Sequence, residues 1–293
     1  LTSADTAVTA YASPRRLAAH VSHVAIKAED KAVQQKLMPV SVGLNAEGQA
    51  TPALLKKLQA LGADLSDPAA AVAALKRAPD GKAEALFYDS LVTGATLDTG
   101  LQKALDEAIA KLPIPKMMRW GDKTIQFVRP VFTVTLLLDG DLVPAHILGI
   151  DSARTLRGHR FMGESEFTID NASQYPQILQ ERGMVIADFM ARKAKIKADV
   201  EAAAAAFGGV ADLDDALLEE VTALVEWPVV LTANFEEKFL AVPAEALVHT
   251  MKGDQKYFPV YDKNGKLLPK FIFVTNIESK DPSQIISGNE KVV

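Results

Sequence analysis

A two-residue turn late in the chain fixes how two strands must pair. Asn264 and Gly265 lie between two segments rich in aromatic and β-branched residues, KYFPVYD and KLLPKFIFVTNI. Asn-Gly in this setting predicts a tight β-hairpin, because both residues accept the positive φ that the turn requires. The hairpin makes the two strands antiparallel, which favours an α+β fold over a doubly wound parallel sheet.

A second hairpin is predicted at Asp139-Gly140. Its arms are QFVRPVFTVTLLL and DLVPAHILGI, and both are strongly apolar. Runs of consecutive apolar residues indicate a sheet that is buried on both faces, as when helices cover it from either side. We therefore expect this hairpin at the centre of a core.

Several amphipathic segments predict helices. One begins at Thr51-Pro52 and ends at Gly62. Another ends at Pro113 and has the apolar stripe Leu101, Leu105, Ala108, Ile109 and Leu112. A third has Asp188 as its N-cap, ends at Gly208-Gly209 and has the stripe Phe189, Ile196, Val200, Ala203 and Phe207. Further helices are predicted from about Asp212, in PAEALVHTM and in DPSQIISGN, and strands in WPVVLTANF and within residues 1–50.

Helices and hairpins that do not alternate regularly predict an α+β fold, with mixed sheets and hairpins covered by helices. A chain of 293 residues is long enough for two domains, at about 100–200 residues each. We place an N-terminal α+β region at residues 1–110 and a central α+β domain with basic loops at residues 111–293.

Composition and motifs argue against several classes of function. The net charge of −5 argues against a protein that coats nucleic acid with its whole surface, but it permits a local basic patch. The sequence has no cysteine, glycine-rich phosphate loop, HExxH or GxSxG, so we expect no cofactor, ATP site or metal site in this chain. Its apolar runs are far shorter than the ~20 residues of a membrane span, and no signal peptide opens it, so we expect a cytoplasmic protein.

Positive charge is concentrated in two segments of this acidic chain. Residues 154–160 include Arg154, Arg157, His159 and Arg160 and no carboxylate. Residues 111–129 oppose Asp122 alone with Lys111, Lys116, Arg119, Lys123 and Arg129. Because arginine binds phosphate through two N–H groups and stacks on bases, the two segments predict a surface that faces RNA. The alternative is that Arg157 and Arg160 pair with carboxylates of this chain or of a partner subunit.

The segment around Tyr257 is another candidate contact with RNA. Lys252 and Lys256 precede this ring, so that the ring would stack on a base while the ammonium groups meet phosphate. Packing of the ring in the core of the hairpin is the alternative.

The order of several short motifs resembles a known family. They are SPRRLA, KLPIPKMMRWG, FVRPV, ILGI, RGHRF, LVEWPVVL and the whole stretch from VPAEALVHTM to SGNEKVV. This series is similar to the β subunit of bacterial heterotetrameric glycyl-tRNA synthetase. The resemblance implies an N-terminal half of that subunit, an α2β2 assembly, tRNA(Gly) as a partner, and no membrane or DNA partner. It also implies that ATP and Mg²⁺ act on the separate α subunit, and that part of this half is similar to the editing-type domain of the phenylalanyl-tRNA synthetase large subunit.

The resemblance implies a subunit of glycine–tRNA ligase that binds tRNA and supports the catalytic α subunit without an aminoacylation site of its own. The residues expected to contact RNA or the α subunit are Lys116, Arg119, Arg154, Arg157, His159, Arg160, Lys252, Lys256 and Tyr257. One alternative is an editing hydrolase of mischarged tRNA, with His159 or His249 as the base. The other is a module that binds only the α subunit.

Overall fold

The computed structural model describes residues 1–293. The chain folds into two compact units. The smaller unit contains residues 1–3 and 24–103, and the larger unit contains residues 4–23 and 104–293. Both hold helices and antiparallel sheets, which confirms the predicted α+β class. The domains at 1–110 and 111–293 stay a prediction.

Nine α-helices are distributed along the chain. They are α1 (Val40–Gly43), α2 (Pro52–Ala60), α3 (Pro68–Ala73), α4 (Leu97–Ala110), α5 (Tyr175–Gly183), α6 (Phe189–Ala205), α7 (Asp215–Leu224), α8 (Ala244–His249) and α9 (Pro282–Glu290). Two 3-10 helices, Ala172–Gln174 and Glu237–Ala241, and a π-helical segment, Thr250–Gln255, complete the helical structure. No helix has both the length and the apolar character needed to cross a membrane.

Seventeen strands form small sheets. In the first half of the chain they are β1 (Val8–Ser13), β2 (Arg16–Val21), β3 (Lys31–Pro39), β4 (Lys76–Asp80), β5 (Ala83–Val92), β6 (Met118–Arg119), β7 (Gln126–Phe127), β8 (Leu137–Leu138), β9 (Asp141–Leu142) and β10 (His146–Ile147). They continue as β11 (Ile150–Asp151), β12 (Thr155–Arg157), β13 (Glu166–Thr168), β14 (Val210–Ala211), β15 (Val229–Asn234), β16 (Phe258–Tyr261) and β17 (Leu267–Thr275).

The smaller unit is built on the antiparallel sheet β3-β5-β4, with α2 packed into its core. The side-chain oxygen of Thr51 accepts a hydrogen bond from the Leu54 N–H, which caps α2 as predicted. Leu54 and Leu58 are fully buried. Gly62 has φ +74° just after the helix, which confirms it as the predicted stop.

The core of the larger unit lies between the sheet β14-β16-β17-β15 and the helices α6 and α7. Strands β16 and β17 form the predicted hairpin, but its loop is longer than the two residues expected, because the Asp262 N–H donates to the Lys266 carbonyl at 2.8 Å. Gly265 has φ +80°, whereas Asn264 does not have the positive φ expected of both turn residues. Phe258 and Ile272 are opposite one another in this hairpin and fully buried against the two helices.

The N-cap and part of the stripe predicted for α6 are confirmed. Asp188 accepts a hydrogen bond from the Ala191 N–H at 2.9 Å, and Ile196 and Val200 are fully buried. The prediction missed Arg192, which lies one turn before Ile196 and has no exposed surface.

The prediction for residues 126–150 is wrong in part. A turn does form at Asp139-Gly140, but β8 and β9 pair over only two residues each. Pro144 interrupts the arm that follows the turn, because proline has no N–H to donate to a ladder. The segment also lies outside the centre of the core, since Phe132 is 64% exposed. Similarly, α4 forms as predicted but buries none of its apolar stripe fully.

Tyr175 predicts a loss of stability at high pH. Burial chiefly, with the nearby Glu226 carboxylate, raises the pKa of Tyr175 to about 12 from a usual value of 10.0. A phenol whose pKa is higher in the folded state stabilises the fold below about pH 10, and this stability is lost as pH rises to about 12. Between about pH 10 and pH 12 the free energy of unfolding should fall in the wild type by roughly 2 kcal/mol more than in Tyr175→Phe, which has no phenol to ionise. Urea denaturation at both pH values measures this difference. Equal losses in both proteins would contradict this.

Candidate nucleic-acid interface

The chain that follows the first basic segment, residues 111–129, runs beside the second basic segment, residues 154–160. The Ala153 N–H donates to the Val134 carbonyl at 2.8 Å. The guanidinium carbon of Arg157 lies 5.1 Å from the ring centre of Phe132. The fold of the larger unit therefore brings residues 132–134 and 153–157 together.

Residues 158–163, here called the Arg-Phe loop, are held against the C-terminal end of α5. The His159 N–H donates to the Gly183 carbonyl at 2.7 Å, and the Glu164 N–H donates to the Arg182 carbonyl at 2.9 Å. Gly163 has φ +68°, and a Cβ there would lie 2.8 Å from the Arg182 carbonyl oxygen. A side chain at Gly163 would thus force the loop away from α5.

A buried polar group lies beneath the loop. Arg16, on β2, donates to the backbone carbonyls of Arg157 and Gly158 and, at 3.0 Å, to Oε1 of Glu226. Ser13 donates to the same oxygen at 2.6 Å. Glu226 is 1% exposed, so the end of this contact at the Glu226 carboxylate is shielded from water.

His159 belongs to this internal support. It is 3% exposed, and its Nδ1 accepts a hydrogen bond from the Phe161 N–H at 3.1 Å. Its Nε2 and Oε2 of Glu226 are buried without a hydrogen-bond partner. His159 therefore shapes the loop from inside and does not present its ring to a large ligand.

Arg157 and Arg160, in the second basic segment, differ in whether they form an ion pair. Arg157 lies 3.4 Å from Glu166, so the predicted alternative of pairing within the chain is confirmed for this residue. Arg160 forms no ion pair, and its guanidinium carbon lies 5.5 Å from the ring centre of Phe161. Arg160 therefore presents an exposed charge that no carboxylate of the chain neutralises.

Arg154 has a structural role. Its guanidinium donates to the carbonyls of Gly140, Ile169 and Asp170. The cations of the first basic segment form no ion pair: the exposed side chains are Lys111, Lys116, Arg119, Lys123 and Arg129. Together with Arg160, these cations are the part of the predicted surface that is open to a polyanion.

The residues predicted near the C-terminal hairpin are already engaged. Lys252 pairs with Asp212 at 3.0 Å and Asp214 at 3.1 Å. Burial lowers the pKa of Lys252, but its bonds to the two aspartates outweigh this and raise it. Lys256 pairs with Glu220 at 2.9 Å.

Tyr257 is 4% exposed, and its ring stacks on Phe271 with ring centres 4.5 Å apart. Its hydroxyl donates to Asn289 at 2.6 Å. The alternative of core packing describes this residue, because a ring enclosed in this way has no face for a base. His249 is exposed and lines an open cleft of about 530 Å³ that is bordered by Lys252 and Lys256.

Comparison with known proteins identifies the family. The family model described as glycyl-tRNA synthetase beta subunit matches residues 2–293. The chain belongs to this family. It is 73% identical over its whole length to the glycine–tRNA ligase beta subunit of Aeromonas hydrophila and covers 42% of that protein. It is 62% identical over 97% of its length to the Erwinia tasmaniensis protein of the same name, covering 40% of that protein, and 60% identical over its whole length to that of Polaromonas naphthalenivorans, covering 43%. The chain thus spans about two fifths of the length of these relatives.

Several residues that support the candidate interface were not predicted from the sequence. Arg16 and Glu226 lie within the quoted motifs SPRRLA and LVEWPVVL, yet their pairing across 210 positions has no local signal. Phe161 did have one, since it follows Arg160 in a glycine-bounded loop. A lone phenylalanine in such a loop is a candidate for exposure.

Proposed function

We propose that this chain binds tRNA(Gly) during glycyl-tRNA formation, as part of a beta subunit that works with an α subunit in an α2β2 assembly in the cytoplasm. The α subunit would hold ATP and Mg²⁺ and perform the bond-making steps. The tRNA-binding role is supported by the exposed cations that form no ion pair with a carboxylate of the chain. One of them, Arg160, lies on a loop whose backbone is hydrogen-bonded to α5. Membership of the family supports the choice of tRNA(Gly) as the RNA.

The physical contribution of such a surface is orientation. Contacts from lysine and arginine to phosphates fix the position of an RNA without reading its sequence. An RNA held in this way brings its reactive end to the partner's active site more often, and proximity is worth several kcal/mol. The chain would then raise the rate without a catalytic residue.

The salt dependence of tRNA binding tests this role. We expect Lys116→Ala/Arg119→Ala/Arg160→Ala to lower tRNA affinity about tenfold or more at low salt, and to reduce the slope of log K against log salt by about 2. Filter binding over a salt series measures both quantities. The matched control is Lys76→Ala/Lys195→Ala/Lys238→Ala, which removes the same charge from exposed lysines that already pair with carboxylates. Equal losses in the two triple variants would contradict a specific surface.

A module that binds only the α subunit is a second candidate. It is favoured by exposed apolar side chains close to the cations, namely Met117, Met118 and Val128. A flat salt response together with intact binding to the α subunit would support it. The editing alternative gains nothing from His159, because that ring is enclosed and its Nδ1 is occupied.

A further inference from the structure

Only two aromatic side chains of the chain are exposed. Phe132 is 64% exposed and Phe161 is 69% exposed, whereas every other phenylalanine, tyrosine and tryptophan is at least partly buried. An exposed aromatic ring offers a flat face on which a nucleic-acid base can stack.

Each exposed ring lies beside an arginine of the second basic segment. Arg157 approaches Phe132 at 5.1 Å, and Arg160 approaches Phe161 at 5.5 Å. The two arginines are three residues apart, and both ring–arginine contacts lie in the larger unit.

The support beneath this surface is rigid. The backbone bonds from His159 and Glu164 to α5 hold the loop, and so does the bond from Arg16 to the Gly158 carbonyl. The Phe161 N–H is itself tied to the buried His159 ring. Because the loop is already ordered, stacking on Phe161 costs little further conformational entropy.

The chemistry of the surface favours nucleotides. Aromatic rings and guanidinium planes stack on bases, and the Arg160 charge beside Phe161 suits a phosphate next to the stacked base. The bases of a duplex are already stacked on each other, so a protruding ring finds a base face only where the RNA is unpaired. A protein partner would instead need an acidic rim around an apolar pocket.

We propose that Phe132 and Phe161 form a stacking platform for unpaired nucleotides of the RNA. This inference rests on the proposed function and names the part of the RNA that this surface takes.

Fluorescence of a short single-stranded RNA that carries 2-aminopurine tests the platform. The purified protein is expected to quench the fluorophore and to bind this RNA more tightly than the blunt duplex of the same sequence. Phe132→Leu/Phe161→Leu keeps apolar bulk but removes both rings, so we expect at least a tenfold loss of single-strand affinity. The salt slope should be unchanged, because no charge is removed. Met190→Ala, at a side chain that is 66% exposed, is the control and should bind as the wild type does.

The results separate the two proposals. If the leucine variant binds single strands as tightly as the wild type while the cation triple variant loses tRNA, the platform is overturned and the proposed function stands. If the wild type binds no RNA, both are overturned. If the leucine variant loses the α subunit and retains RNA, the rings are a protein contact and the platform is again overturned. Thermal unfolding of the leucine variant confirms that it is folded.

Discussion

Arg192→Ala is expected to lower the free energy of unfolding by about 3–5 kcal/mol. The Arg192 side chain has no exposed surface and donates to three backbone carbonyls: Ile186 at 2.6 Å, Ala12 at 2.9 Å and Thr222 at 3.1 Å. Alanine would leave these acceptors buried without a donor, and each such loss costs about 1–3 kcal/mol. The three carbonyls belong to separate segments, so the variant also loosens the attachment of the β1–β2 hairpin to α6.

Urea denaturation of the variant and of a control on the same helix measures this effect. Lys195→Ala removes an exposed cation that pairs with Asp199 one turn away, and we expect a change within about 0.5 kcal/mol. Arg192→Lys keeps the charge but has no planar fork, so its stability should fall between those of the wild type and Arg192→Ala. A change below about 1 kcal/mol in Arg192→Ala would mean that water reaches the three carbonyls.

Arg192 shows how far periodicity can locate a buried residue. The spacing from Arg192 to Ile196 and Val200 is that of one helix face, so the stripe itself places this arginine on the buried side. What periodicity does not supply is the set of acceptors, because Ala12 and Thr222 are brought to α6 by the tertiary fold. The cap at Asp188 was predictable since capping is local.

The two predicted hairpins show that a local pattern predicts a turn better than it predicts the burial of the strands. A chain reversal forms at both predicted places, because glycine and aspartate or asparagine favour turns locally, but the loop at Asn264-Gly265 is longer than the two residues expected. Their arms differ because β16 and β17 lie within a four-stranded sheet that two helices cover, whereas Pro144 limits the arm that follows Asp139-Gly140. An apolar run therefore predicts burial less reliably than a turn predicts its own geometry.

The sequence predicted where positive charge is concentrated in the candidate interface, but not which of these side chains are exposed and which are paired. The sequence placed cations in two segments, and the fold brings residues that follow the first of them beside the second. It did not predict that Arg154 binds carbonyls or that Lys252 is paired, and it left open whether the Tyr257 ring packs in the core or stacks on a base. These outcomes depend on residues tens of positions away, which no local pattern contains.

Glu226→Ala is expected to destabilise the protein by about 3–4 kcal/mol. Its Oε1 accepts hydrogen bonds from Ser13 and Arg16, and only 14% of the Arg16 side chain is exposed. Removing one partner of a buried ion pair leaves the other charge uncompensated, which is far more costly than losing an exposed pair. The control is Glu166→Ala, which removes the carboxylate that faces Arg157 on the surface and should cost less than about 1 kcal/mol.

Glu226→Ala should also loosen the Arg-Phe loop, because Arg16 connects Glu226 to that loop. Without Glu226, Arg16 is no longer fixed where it donates to the carbonyls of Arg157 and Gly158. We therefore expect faster amide hydrogen exchange at His159 and Phe161 in Glu226→Ala than in Glu166→Ala. Glu226→Gln keeps an acceptor oxygen for Ser13 and Arg16, so both its stability and its exchange should lie closer to the wild type. If exchange in the Arg-Phe loop is the same in Glu226→Ala and the wild type, the loop is held by α5 alone and the contact with Arg16 only stabilises the fold.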